Sequence, residues 1–247
     1  MIHLTKDNDS PETLVGNDAD MELSRLEKIV DDGEKPTYKD FNAGIYGADD
    51  VRKQLLIDQH EKCAYCECTL LDKDGGEVEH FRPKTAYRQD RVKGNTKKPA
   101  YYKLAYNWDN LLLSCHACNS IKSTFFPLAN PEHRFDLVKE LPLLINPYND
   151  DPANHLEFRQ EKVFPVVDGN GKKDEKGSKT IEYIDLNRKD LVERRRRVLY
   201  RFVRTMSRLG MSFEQFLQQE IQDEISDGRT AESIEFYGMF ANQKYKF

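Results

Sequence analysis

No apolar run in these 247 residues approaches the roughly 20 that a helix needs to cross a bilayer. The opening MIHLTKDNDS also lacks the basic-then-apolar order of a secretory signal. Neither a membrane span nor export is expected, so the chain is expected in the cytoplasm. Positive charge is not in excess: 38 Lys and Arg stand against 43 Asp and Glu, a formal net charge of −5. Overall charge therefore does not announce a nucleic-acid binder, and any such role has to rest on local patches or on a partner that supplies positive surface. Cysteine is scarce and odd in number, five in all. In a reducing compartment that fits poorly with a closed disulfide set. Internal repeats are lacking too. What is present is a polar chain, 33% charged with a mean hydropathy of −0.78, long enough for one large domain or two small ones.

Residues 1–19 are polar and are expected to form an irregular lead-in. Met21, Leu23, Leu26, Ile29 and Val30 have helical spacing, and Asp31-Asp32-Gly33 ends that helix. Asp49 or Asp50 is expected to cap a second helix bearing Val51, Leu55 and Leu56. Residues 82–103 hold eight Lys or Arg against one acid, Asp90, and form a basic insertion. LPLLINPYNDD, from Leu141 to Asp151, is the best candidate for a boundary. It is followed by a predicted hairpin, LEFRQ then VFPVV, and by a turn at Asp168 to Gly171. A long basic helix carries Leu191, Val198, Leu199, Phe202, Val203 and Met206, with Arg194 to Arg197 in it. Ser212 and Gln215 form a capping box for a further helix, and a last short helix is expected over 231–240.

The chemistry lies in and between two C-x2-C knuckles, Cys63-Ala64-Tyr65-Cys66 and Cys115-His116-Ala117-Cys118. Two thiolates three residues apart bend round one ion, and two such pairs complete a tetrahedral, structural zinc site with no open position. A catalytic ion would have to be a second one. Between the knuckles stands Val78-Glu79-His80-Phe81-Arg82-Pro83-Lys84. Its carboxylate offers a hard oxygen to magnesium or manganese, and its imidazole offers a base for water. Adjacent strand side chains diverge, so the pair needs a bend here, which Pro83 suits. Further on, Trp108-Asp109-Asn110-Leu111 leads to the second knuckle, followed by Asn119 and, one helical turn later, Lys122. A helix starting here would put an amide oxygen and a cation on one face.

The order CxxC, EHFRP, WDNL, CxxCN, IK resembles the zinc-containing HNH nucleases. That resemblance implies an α+β fold: a zinc-stapled ββα-metal core, embedded here in a mainly helical protein. It makes Glu79 the first ligand of a catalytic magnesium or manganese ion and His80 the general base. Asn110 becomes the residue that orients the base or its loop, and Asn119 the second metal ligand. Arg82, Lys84 and Lys122 would meet phosphate, and Tyr87, Tyr101 and Tyr102 could stack on bases. Glu in place of the commoner Asp, and the long basic insertion, depart from the usual pattern. FNAGIYGADDVRKQLL, VEHFRPK, INPYNDDPANHLEF and KTIEYIDLNRKDL resemble one branch more closely, the PtuB effectors of Septu and retron-associated anti-phage defence systems. This implies a DNA- or RNA-cutting effector in a hetero-oligomer with an ABC-type ATPase, PtuA. The organisation then reads as a helical lead-in over 1–48, the nuclease core over 49–140, and a hairpin with a helical region over 141–247. The rival expectation is a non-catalytic zinc module that binds nucleic acid or a partner. Cys68 is expected to be a buried spare thiol and His116 a surface or supporting residue. His60, His133 and His155 have no partner at motif spacing.

Overall fold

The computed structural model describes residues 1–70 and 75–241. Short helices α1 (Glu12–Val15) and α2 (Asn17–Asp31) lead to α3 (Ala43–Tyr46) and α4 (Asp49–Asp58). Strand β1 (Glu77–His80) pairs with β2 (Leu111–Ser114), which runs into α5 (His116–Lys122). A second hairpin, β3 (Leu156–Arg159) and β4 (Lys162–Pro165), precedes α6 (Glu175–Ile184), α7 (Lys189–Leu209), α8 (Phe213–Ser226) and α9 (Tyr237–Ala241). Helices with two small antiparallel sheets make an α+β arrangement.

The lead-in is not merely polar surface. Met1 and Leu4 are buried in the core, and α1 and α2 begin earlier than hydrophobic spacing suggests. The α4 cap also differs from expectation: Ala48 holds that position, while Asp49 and Asp50 fill the first turn, where they favour the helix dipole. The stretch from Leu141 to Asp151 carries turn residues, yet its Leu144 and Ile145 are fully buried in the same hydrophobic cluster as β2. The capping box at Ser212 and Gln215 is formed, and α7 ends on Gly210 in the left-handed conformation.

The sheet that matters for chemistry is secured on both sides. Glu77 faces Ser114, Val78 Leu113, Glu79 Leu112 and His80 Leu111. On the outer edge of β2 the buried Gln59 side chain acts as a substitute strand. Its Nε2 donates to the Leu113 carbonyl at 2.7 Å, and its Oε1 accepts from the Leu113 N–H at 2.8 Å. An edge strand with unpaired backbone is thereby satisfied inside the protein. Entry into β1 needs glycine: Gly76 has φ +75°, and a Cβ there would lie 2.9 Å from Leu70. Helix α7 packs Leu191, Val198, Leu199 and Phe202 inward, with Phe202 stacked on Phe240 at 4.2 Å between centroids.

Candidate metal and nuclease site

The two knuckles meet. The sulfurs of Cys63, Cys66, Cys115 and Cys118 all lie within 4.8 Å of one another, and Cys66 Sγ is 3.7 Å from Cys115 Sγ. With zinc–sulfur bonds of about 2.3 Å, the edge of a tetrahedron is about 3.8 Å, so the set can hold one ion such as zinc. The first knuckle is closed by the Cys63 N–H bond to the Cys68 carbonyl at 2.9 Å, and is reached from β2 by Ala64 N–H donating to Leu113 O at 3.0 Å. The second knuckle is the junction of β2 and α5. Arg188 approaches the cluster at the start of α7, with Nη1 3.5 Å from Cys118 Sγ and Nη2 4.0 Å from Cys115 Sγ. Burial opposes its charge, but the sulfurs of Cys118, Cys66 and Cys115 outweigh that and hold the guanidinium above its usual range. Four thiolates round a dication leave two negative charges, which a half-buried arginine partly offsets. Sequence offered no sign of this role. Cys68 is buried, as expected of a spare thiol.

Strand alternation sorts the carboxylates and imidazole. Glu77 and Glu79 share one face of β1 and meet α5. Glu77 accepts from the Asn119 Nδ2 and pairs with His116 Nδ1 at 2.7 Å; Glu79 pairs with Lys122. Asn119 and Lys122 do lie one helical turn apart on the face toward β1, but the amide is held by Glu77, which sequence reasoning passed over. Its position two residues before Glu79 was the available signal. Lys122 Nζ also donates to the His80 carbonyl at 3.0 Å, so that cation is enclosed. The His80 side chain points the other way: β1 runs as regular strand through both residues, so the bend expected to bring the Glu79 and His80 side chains together is not formed. Its Nε2 lies 2.9 Å from the Ala105 carbonyl and its Nδ1 3.1 Å from Lys84 Nζ. A carbonyl only accepts and an ammonium only donates, so the neutral ring carries its proton on Nε2 and its lone pair on Nδ1. Burial, then the Lys84 charge, holds the imidazole well below its usual pKa. Burial likewise brings Lys84 down to about 8.

Asn110 acts on the backbone. Its Oδ1 accepts from Arg82 N–H at 2.8 Å, while its Nδ2 donates to Arg82 O at 3.0 Å and Leu104 O at 3.1 Å. The chain beyond His80 is thus clamped to the segment that carries the Ala105 carbonyl. That segment is held in turn by the half-buried Lys6, whose Nζ donates to Trp108 O and to Leu111 O at 2.6 Å and sits 4.1 Å from the Trp108 ring centre. Glu79 is 6%, His80 4% and Lys122 0% exposed, so this cluster is closed. Tyr46 closes the His80 side, its ring edge-on at 4.8 Å and its face 4.4 Å from Lys84 Nζ.

Each expected phosphate contact has a partner inside the chain: Arg82 Nε meets Glu140 at 2.5 Å, Lys84 meets His80, and Lys122 meets Glu79. Tyr101 is buried with its hydroxyl on Glu140 at 2.8 Å, which removes it from base stacking, and Tyr87 lies under the Arg134 guanidinium at 4.1 Å. His60 and His155 have distant partners that spacing could not reveal, Thr230 and Asp174. His133 lies beside Glu132 at the surface.

With this geometry in view, the chain is 38% identical over 158 residues to the Septu protein PtuB of Bacillus mycoides strain KBAB4, covering 62% of this chain and 52% of that one. It is 30% identical over 219 residues to the Septu protein PtuB of Bacillus thuringiensis, covering 87% of this chain and 66% of that one. The chain is a relative of the Septu proteins named PtuB. It spans about half to two thirds of the length of these PtuB relatives. A Septu protein PtuA of Bacillus mycoides strain KBAB4 is 27% identical over 176 residues, covering 66% of this chain and 23% of that PtuA. No family model matches the chain. Among the described residues no helix is long and apolar enough to cross a membrane.

Proposed function

We propose that this chain is a metal-dependent HNH nuclease that cuts DNA or RNA, acting in an anti-phage defence system of the Septu type with an ABC-type ATPase, PtuA, as its partner. The observation that carries the reading is the order β1–β2–α5, stapled by four cysteines, with Glu79 and His80 ending β1 and Asn119 and Lys122 on the helix face toward it. The donor set suits a hard cation. Glu79 offers a carboxylate, and because the Asn119 nitrogen is committed to Glu77, its amide oxygen is the end left for an ion. Magnesium or manganese held by these two residues would supply Lewis-acid stabilisation of the phosphate and leaving oxygen.

The chain's own residues supply the rest. His80 is neutral, and its Nε2 proton is anchored on the Ala105 carbonyl, so Nδ1 is the atom that receives a proton from water. Lys84 stands at that nitrogen now; a water taking its place frees an ammonium to meet the charge building on phosphorus. Asn110 keeps the backbone on both sides of this constellation in place.

Burial of Glu79, His80 and Lys122, and the internal partners of Arg82 and Lys84, favour a protein that is closed by itself and is opened by its partner. The relationship to a segment of a PtuA protein supports a shared system. Cleavage should be weak for the isolated chain, rise strongly when the partner is added, and be abolished by His80→Ala with zinc content unchanged. Full cleavage by the His80→Ala protein would overturn the assignment.

A further inference from the structure

Arg188 and the run from Arg194 to Arg196 near the start of α7 are consumed inside the molecule. Arg188 serves the sulfurs, and Arg195 is buried with Nη1 donating to Leu186 O at 2.7 Å. Arg194 pairs with Glu235 at 2.7 Å and Arg196 with Glu161 at 2.8 Å. The arginines that follow differ. Arg197, Arg201, Arg204 and Arg208 are all exposed, and among the described residues none of them has an ion pair. At 3.6 residues per turn they fall within an arc of about 60° and span about 16 Å along the helix. Val198, Leu199 and Phe202 hold the opposite face in the core, so the row faces outward.

Like charges three and four residues apart weaken a helix by a few tenths of a kcal/mol per pair. A chain with a net charge of −5 nevertheless places four of them in line. We infer that this row is where the protein grips the phosphate backbone of nucleic acid, an inference that rests on the nuclease reading above. Backbone affinity comes from Lys and Arg that displace counterions, and the candidate site has none to spare, because Arg82, Lys84 and Lys122 are all held by internal partners. Guanidinium groups match phosphate in a bidentate fashion, and a repeated row of them suits a polymer of repeated anions. Tyr200, 66% exposed, stands beside the row and is available to stack on a base. A protein partner would ask for an apolar centre, but the exposed Val203 and Leu209 lie to opposite sides of the arc, leaving only charge within it. The helix starts at the zinc cluster, so the row is held on a rigid rod, beginning about 13 Å along the axis from Arg188.

The test uses the zinc-loaded full chain carrying His80→Ala, without added magnesium or manganese, so that binding is read apart from cutting. Fluorescence anisotropy follows a labelled duplex DNA, a single-stranded DNA and a single-stranded RNA from low to moderate salt. Replacing Arg197, Arg201, Arg204 and Arg208 together by Gln should lower affinity at least tenfold at the lowest salt. It should also flatten the log–log salt slope by about 3, at about 0.7–0.9 per lost phosphate contact. Circular dichroism and zinc content should be unchanged, since all four side chains are exposed. The three probes separate duplex from single strand and DNA from RNA. An unchanged slope and affinity would overturn the inference. So would normal nucleic-acid binding with loss of association to the ATPase partner, which would assign the row to an acidic protein surface. The same four substitutions in the His80 parent, assayed for cleavage with the partner, keep the two readings apart. Retained cleavage with unchanged binding sinks the row alone, whereas absence of cleavage in the parent sinks the nuclease reading.

Discussion

Replacing Lys122 by Met should be the most informative single perturbation of the candidate site. Lys122 is fully buried, pairs with the nearly buried Glu79, and donates to the His80 carbonyl at 3.0 Å. Met keeps most of the stem's volume, so little cavity forms, but the carboxylate loses its counter-charge inside the protein. Breaking a buried pair from one side costs about 3–5 kcal/mol, and the deprived His80 carbonyl adds about 1 kcal/mol. Against a typical total of about 5–15 kcal/mol, that is a large loss. Urea unfolding of the zinc-loaded protein should show it as a clearly lower midpoint with an unchanged slope. Glu79→Gln combined with Lys122→Met leaves no unpaired charge, and should recover about 2 kcal/mol or more of the single variant's loss. If Glu79 also faces a divalent ion, magnesium or manganese should stabilise Lys122→Met more than the parent, because the ion replaces the missing cation. A Lys122→Met protein within about 1 kcal/mol of the parent, or a double variant no better than the single, would refute the reasoning.

Three further outcomes are expected. Cys118→Ser should abolish stoichiometric zinc, read by elemental analysis, and should lower folding cooperativity, read by thermal unfolding, since metal binding and folding are linked. His80 is held below its usual pKa in the folded protein by burial and by Lys84. The unfolded chain therefore binds the extra proton as pH falls below about 6.5, and folding stability should drop there; His80→Gln should flatten that drop in pH-dependent denaturation curves. Burial holds Lys6 down to about 7 from an ordinary 10.5, with Asp109 and Asp58 opposing. The unfolded chain binds more protons between those values, so stability should rise with pH across that window, and Lys6→Met should remove the rise.

Local rules made much of this protein legible. Two C-x2-C pairs in a chain expected in a reducing compartment, with the residues between them, called for one four-sulfur site, and the four sulfurs do converge. Hydrophobic period and capping residues located α7, α8 and the β3–β4 hairpin, since those signals act over a few residues. Motif order pointed to β1 and α5 as the elements that carry the polar cluster, and Lys122 does meet Glu79 there, whereas the His80 ring lies on the opposite face of β1. The row from Arg197 to Arg208 was also readable as a helical period, although nothing in the sequence told which arginines are paired and which are left outside.

Those pairings were decided only by tertiary structure, because each joins residues far apart in the chain. Asn119 goes to Glu77, across 42 positions, and Lys122 to Glu79, across 43. Strand alternation allows either carboxylate to meet α5, and only the docking register of helix on sheet chooses. Arg82 spends its charge on Glu140, 58 residues away, and Lys6 reaches 102 residues to hold the turn at Trp108. A basic insertion read as free phosphate contact therefore turns partly inward, since a charged side chain near a forming core is drawn to whichever opposite charge or carbonyl the fold brings beside it. Composition and spacing determined which chemistry this chain can carry; the packing of its helices on one small sheet decided which groups are left to perform it.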